Sequence, residues 1–176
     1  MNIRQSGRII FPTEFFQQDV LQLAPALLGK ILVRKFDDET IGRFRIIETE
    51  AYRGEEDKAC HACKGRTKRT EAMYHSGGKI YVYLIYGMYW MLNIVSGKEN
   101  EPQAVLIRGV EGISGPGRIG KKLLLDKGFY GENLPSSRIW IEDDEFIPEY
   151  ITTPRIGIDY AGEWKDLEWR FVVLKS

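Results

Sequence analysis

The stretch KIYVYLIYGMYWMLNIV, Lys79 to Val95, decides how this chain reads. After Lys79 it carries no charge, and it holds Tyr81, Tyr83, Tyr86, Tyr89 and Trp90. Residues 80–85 alternate, with Ile80, Val82 and Leu84 on one face and Tyr81, Tyr83 and Ile85 on the other, the period of two that marks a strand. Tyr86-Gly87-Met88 is the turn signal, because glycine takes positive φ without steric penalty. Residues 89–95 read as the returning strand. Ile80, Val82, Leu84, Leu92 and Ile94 are expected to be core. Tyr86, Met88 and Tyr89 then form a hairpin tip, and a large apolar surface at a turn points to a partner.

On either side of the hairpin the pattern is also strand-rich. Val20, Leu23, Ala24, Leu27 and Leu28 form a helical stripe, with Asp19 as N-cap, Gly29 as stop and Pro25 inside it. Residues 30–36 and 41–52 alternate as a hairpin around Asp37-Asp38-Glu39. Residues 53–78 are polar and weakly periodic, which predicts a long loop with at most a short helix, and such loops are usually functional or disordered. Residues 104–110 read as a strand, Ser114-Gly115-Pro116-Gly117 opens a short helix, and residues 139–141, 155–158 and 169–174 read as further strands. The acidic run Glu142 to Glu145 reads as a solvated loop. These elements predict one α+β domain over residues 1–176: an antiparallel or mixed curved β-sheet, a few helices and a protruding aromatic hairpin.

Composition narrows the class. The 176 residues are 43% hydrophobic and 28% charged, an ordinary globular balance. No apolar run is long enough for a bilayer, and MNIRQSGRIIF lacks the apolar core of a secretory signal, so a cytoplasmic protein without membrane partners is expected. The 25 basic and 25 acidic residues cancel, so attraction to nucleic acid would have to come from a local patch.

Four groups of residues could do chemistry. Glu48 and Glu50 lie two apart on a strand and so share a face with Phe44 and Ile46, where a carboxylate is costly unless it is paired or used as a base. Either reading stands, as does the plainer one in which a strand-end glutamate reaches solvent. Cys60-His61-Ala62-Cys63 with His75 has zinc-ligand types, but the second half of a usual pair is missing. His61 reads either as a surface residue or as a hydrogen-bonding group facing a pocket. Lys64-Gly65-Arg66-Thr67-Lys68-Arg69 puts four cations beside stackable rings, the footprint of nucleic-acid binding, with Arg66, Lys68 and Arg69 as candidate phosphate contacts. Arg108, ending an apolar strand, should pair with Glu48 or Glu50, and Asn93 should be inward and partnered.

Glu48-Thr49-Glu50-Ala51-Tyr52, His61, the run Tyr81 to Tyr89, Asn93, Val105 to Arg108, Ser114 to Gly117, Arg155-Ile156-Gly157 and Ala161-Gly162 together resemble the alkyladenine (3-methyladenine) DNA glycosylases. The resemblance spans nearly the whole chain. It implies a monofunctional, monomeric hydrolase without metal or organic cofactor that flips alkylated or deaminated purines out of damaged double-stranded DNA and cleaves the N-glycosidic bond, starting base excision repair. By the same resemblance Glu50 activates water, and Arg108 helps hold it. Tyr52, His61, Tyr83 and Asn93 would form the base pocket. Tyr86 would be the wedge in the stack, with Met88 and Tyr89 beside it. The enzyme would work in the cytoplasm at the nucleoid, or in a nucleus. The chain departs from the family in Cys60 and Cys63, in Trp90, in a slightly shorter loop after His61, and in an abbreviated segment between Arg108 and Ser114. Two rivals are a non-catalytic protein that stacks nucleic acid on Tyr83, Tyr86 and Tyr89, and a small zinc protein built on Cys60, Cys63 and His75.

Overall fold

The computed structural model describes residues 3–5 and 7–174. The strands are β1 (Ile3–Gln5), β2 (Arg8–Ile10), β3 (Ile31–Lys35), β4 (Ile41–Arg53), β5 (Ile80–Ile85), β6 (Tyr89–Val95), β7 (Gln103–Val110), β8 (Ile113–Ser114), β9 (Ile139–Asp143), β10 (Tyr150–Thr153) and β11 (Arg170–Val173). Helices α1 (Val20–Ala26) and α2 (Pro116–Lys122) join them, with short 3₁₀ turns between. The strands run in the order β1-β2-β9-β3-β4-β7-β6-β5, with β11 and then β10 branching from β4 and β8 paired to β7. Every pairing among these strands is antiparallel, so of the two expected sheet types the antiparallel one holds.

One face of the sheet carries the main core, where Val20 and Leu23 of α1 with the following Leu27, and Ile119 of α2 with the following Leu123, meet Ile46, Ile80, Leu92 and Ile107. Asp19 caps α1 by accepting from Leu21 N at 2.9 Å, and Gly29 follows with φ +80, as the sequence pattern requires. Pro25 lies inside α1, where it offers no N–H to the Leu21 carbonyl, and the helix ends one residue later at Ala26. The glycines of α2 serve packing. Gly117 lies under the ring of Tyr89, and a side chain at Gly120 would strike the Trp90 carbonyl, so the helix can lie flat on β6.

Strand β4 belongs to both halves of the sheet and turns over in the middle. Its register against β7 shifts on both sides of Glu48, the mark of a β-bulge. Phe44 and Ile46 face the core before the bulge, and Thr49 and Ala51 face it afterwards. Glu48 and Glu50 therefore do not share a face with Phe44 and Ile46. One extra residue has moved them to the opposite side.

Three other expectations are corrected. Residues 155–158 form no strand, because Gly157 takes φ +76 and the chain bends across β4 instead of pairing with it. The acidic run is held in place. Glu142 is buried against Trp140 Nε1 (3.0 Å) and Arg43, Asp143 accepts from Lys30 (2.7 Å), and Asp144 takes both arms of Arg45. Leu84 is 42% exposed, because the hairpin outruns the core.

Candidate active site

Strand register assembles the site. Across the face away from α1, Arg170 lies opposite Glu50, Glu50 opposite Leu106, Leu106 opposite Asn93, and Asn93 opposite Tyr81. Opposed residues in antiparallel strands point the same way, so five strands contribute one lateral row to one surface. Tyr52, Arg108, Met91 and Tyr83 lie two residues further along their strands and extend that surface. The long loop 54–79 covers it from one side, packing Cys60, Ala62 and Met73 on Tyr81 and Ala104, and residues 156–160 close the other side.

Between them lies a cavity of about 420 Å³ whose walls include Tyr52, His61, Tyr83, Asn93 and Arg108. Five of the expected site residues thus meet in one place. Tyr86 reaches the rim from the hairpin tip and Tyr160 from the opposite loop, 87% and 71% exposed respectively. Glu50 is fully buried one layer behind the wall, and its partners are wall residues. Tyr52 Oη donates to its Oε2 at 2.8 Å, Ile156 N donates to its Oε1 at 2.8 Å, and Arg108 Nη1 lies 3.5 Å from Oε2. Burial pushes the Glu50 carboxyl above its ordinary pKa, against the opposing pull of Arg108 and the two donors. Arg108 is shared, with Nε also 3.3 Å from Glu48, while Arg170 binds Glu48 at 2.6 Å.

His61 Nδ1 sits 2.8 Å from Tyr81 Oη, and its ring packs edge-on to Tyr83 with centroids 4.5 Å apart. Burial, then the cations Arg69 and Lys64, lowers the His61 pKa to about 4, so the imidazole is neutral at pH 7. The Tyr83 hydroxyl is pushed up to about 12, chiefly by burial. Asn93 donates from Nδ2 to the Tyr81 carbonyl at 3.2 Å.

The hairpin turn places Tyr86 and Gly87 at φ +52 and +66, with Met88 N donating to Ile85 O, the pattern of a type I′ turn. Glycine suits that geometry and tyrosine does not. Met88 is exposed beside Tyr86, whereas Tyr89 is half-buried on Gly117 with Lys121 Nζ 4.6 Å from its ring.

The basic loop is divided. Arg69 lies over the Tyr83 ring at 5.5 Å and lines the cavity. Lys68 lines an adjoining groove with Leu84, Trp90 and Lys127. Arg66 is engaged by Glu71 and Asn100. Cys60 is buried with its thiol pushed up to about 12 by desolvation, Cys63 is exposed, and no cluster of three metal-ligand side chains forms among the described residues.

Asp57, Tyr81, Arg155, Ile156 and Tyr160 also belong to the site and were not singled out from the sequence. Of these, Tyr81 stood in the run Tyr81 to Tyr89 and Arg155 and Ile156 in the run Arg155-Ile156-Gly157, whereas Asp57 and Tyr160 stood in no recognisable motif.

A family model described as Methylpurine-DNA glycosylase (MPG) matches residues 14–114 and 112–176. A protein of Psychrobacter cryohalolentis named "Putative 3-methyladenine DNA glycosylase" is 43% identical over 188 residues, 90% of this chain and 89% of its own. Proteins of the same name from Natranaerobius thermophilus and Methanocella arvoryzae are each 40% identical, over 91% and 92% of this chain and 93% and 91% of their own. The chain belongs to the methylpurine-DNA glycosylase family.

Proposed function

We propose that residues 1–176 act as one monofunctional DNA glycosylase that removes alkylated or deaminated purines, 3-methyladenine first among them, from double-stranded DNA. One observation carries the reading: a buried carboxylate with a raised pKa and a single cation at 3.5 Å lies directly behind an aromatic cavity with an exposed tyrosine at its rim. In this reading Tyr86 enters the base stack and offsets part of the few kcal/mol that extruding a nucleotide costs. The extruded purine sits among Tyr52, His61 and Tyr83, whose electron-rich rings attract a cationic alkylpurine. Neutral His61 offers it a hydrogen bond without adding a repelling charge. Asn93 crowds the exocyclic amine of ordinary guanine.

Water then gives a proton to Glu50, and its oxygen adds to C1′. The C1′–N bond breaks, and its electron pair leaves with the purine. The Glu50 charge stabilises the oxocarbenium-like sugar as that bond lengthens. A cationic alkylpurine becomes neutral as it leaves and needs no acid, whereas neutral hypoxanthine takes a proton from solvent as its bond breaks. Glu50 is covered until a water takes the place of one of its contacts. Arg108 Nη1 lies 3.5 Å from Glu50 Oε2, beyond a good hydrogen bond, so that edge is where the water enters.

No helix among the described residues is long and apolar enough to cross a membrane, and the proposed setting is the cytoplasmic nucleoid, with the protein working as a monomer. The test is release of free base from methylated and from hypoxanthine-containing duplexes. Release of 3-methyladenine or hypoxanthine is expected. Binding without release from either duplex would favour a stacking, non-catalytic binder.

A further inference from the structure

We propose that the buried Asp57–Arg155 ion pair is a positioning device for Glu50, fixing the Ile156 amide and the Tyr52 ring against its two carboxylate oxygens. The proposal rests on Glu50 being the base. Both partners of the pair are fully buried, with Arg155 Nη1 2.6 Å from Asp57 Oδ2 and Nη2 2.9 Å from Oδ1. Asp57 is itself held by the amides of Arg53 and Ala59. Arg155 Nη1 also donates to the Ala51 carbonyl at 2.9 Å, between Glu50 and Tyr52 on β4. The guanidinium stacks 4.9 Å from the Tyr52 ring and 5.1 Å from Trp169. The residue after Arg155 supplies the amide on Glu50 Oε1, and the ring beneath Arg155 supplies the hydroxyl on Oε2. Strand residues 50–52 and loop residues 155–156 thus form a closed circuit, and Gly157 at φ +76 turns the chain away immediately afterwards. Desolvating two charges cancels most of their attraction, so such a pair is poor evidence for stability and is better explained by what it orients.

The groups facing Glu50 are Arg108, Glu48, Tyr52, Tyr83 and the Ile156 amide, with Arg170 acting through Glu48. Loosening the circuit removes donors that favour the ionised carboxylate, so the acid limb of the rate profile should move to higher pH.

The experiment compares the parent, Asp57→Asn, Arg155→Lys and Glu50→Gln in single-turnover release of hypoxanthine across pH, with thermal melts and lesion affinity measured on the same samples. Both pair variants are expected to fold at the assay temperature, bind the lesion within about threefold of the parent, and release base at least tenfold more slowly with the acid limb shifted upward. Adding Asp57→Asn to Glu50→Gln should slow release no further, since groups acting as one unit are not additive. Unmoved rates and profile in folded variants would overturn the proposal, as would failure of both variants to fold, which would make the pair a staple of the fold. Unchanged turnover in Glu50→Gln alone would instead remove the base itself.

Discussion

Two carboxylates buried on antiparallel strands, Glu142 of β9 and Glu50 of β4, are provisioned differently. Glu142 is 2% exposed and has two cations, Arg43 at 3.2 Å and Arg8 at 3.6 Å, with Trp140 Nε1–H donating as well. Glu50 has no exposure and one cation, at 3.5 Å, which it shares with Glu48, and its short contacts come from neutral donors. The first is neutralised by its own surroundings and its side chain joins β2, β4 and β9. The second is under-supplied with positive charge behind the wall of a cavity, as a group kept for proton transfer would be.

Exchanging each carboxylate for a neutral group separates the two roles. Glu50→Gln should lower base release by about 10²- to 10⁴-fold, the usual range for a general base. It should not lower the melting temperature at pH 8. The sign follows from the raised Glu50 pKa: the fold disfavours the ionised form, so this group's contribution to stability is greatest at low pH and falls as pH rises through the native pKa. A neutral glutamine escapes that fall. Glu142→Leu should do the reverse. It leaves Trp140 Nε1–H without its acceptor and should lower unfolding free energy by roughly 1–3 kcal/mol in denaturant titration, with release per folded molecule unchanged.

Smaller effects refine the contrast. Tyr86→Gly should weaken lesion binding about tenfold while raising stability by up to roughly 1 kcal/mol, because it relieves a left-handed tyrosine. Unfolding on this substitution would mean that the tip is part of the core. The smallest effect concerns His61. Its pKa falls from 6.5 to about 4 on folding, so its contribution to stability is complete above pH 6.5 and lost as pH drops towards 4. His61→Gln should make the loss of stability over that window shallower in denaturant titrations at stepped pH.

The sequence carried local features well and long-range ones poorly. The hairpin at residues 80–95, the β3–β4 pair and the capping of α1 were legible because alternation, turn glycines and caps act within a few residues. The β4 bulge carries no glycine at Ile47 or Glu48 to announce it, and only pairing with β7 defines it, so Glu50 was placed on the wrong face. Residues 155–158 have a strand's composition, yet Arg155 is bound to Asp57, 98 residues away, and nothing in either neighbourhood records that partner. The Tyr81 to His61 hydrogen bond escaped the sequence for the same reason.

The central claim is that Glu50 stays buried and under-neutralised because it activates water. The pH dependence of single-turnover release of hypoxanthine from duplex DNA, parent against Glu50→Gln, tests it most directly. The account predicts that the parent loses activity on an acid limb above the ordinary glutamate pKa and that Glu50→Gln releases almost no base at any pH while still binding the lesion. Release by Glu50→Gln within twofold of the parent, with the acid limb intact, would contradict it.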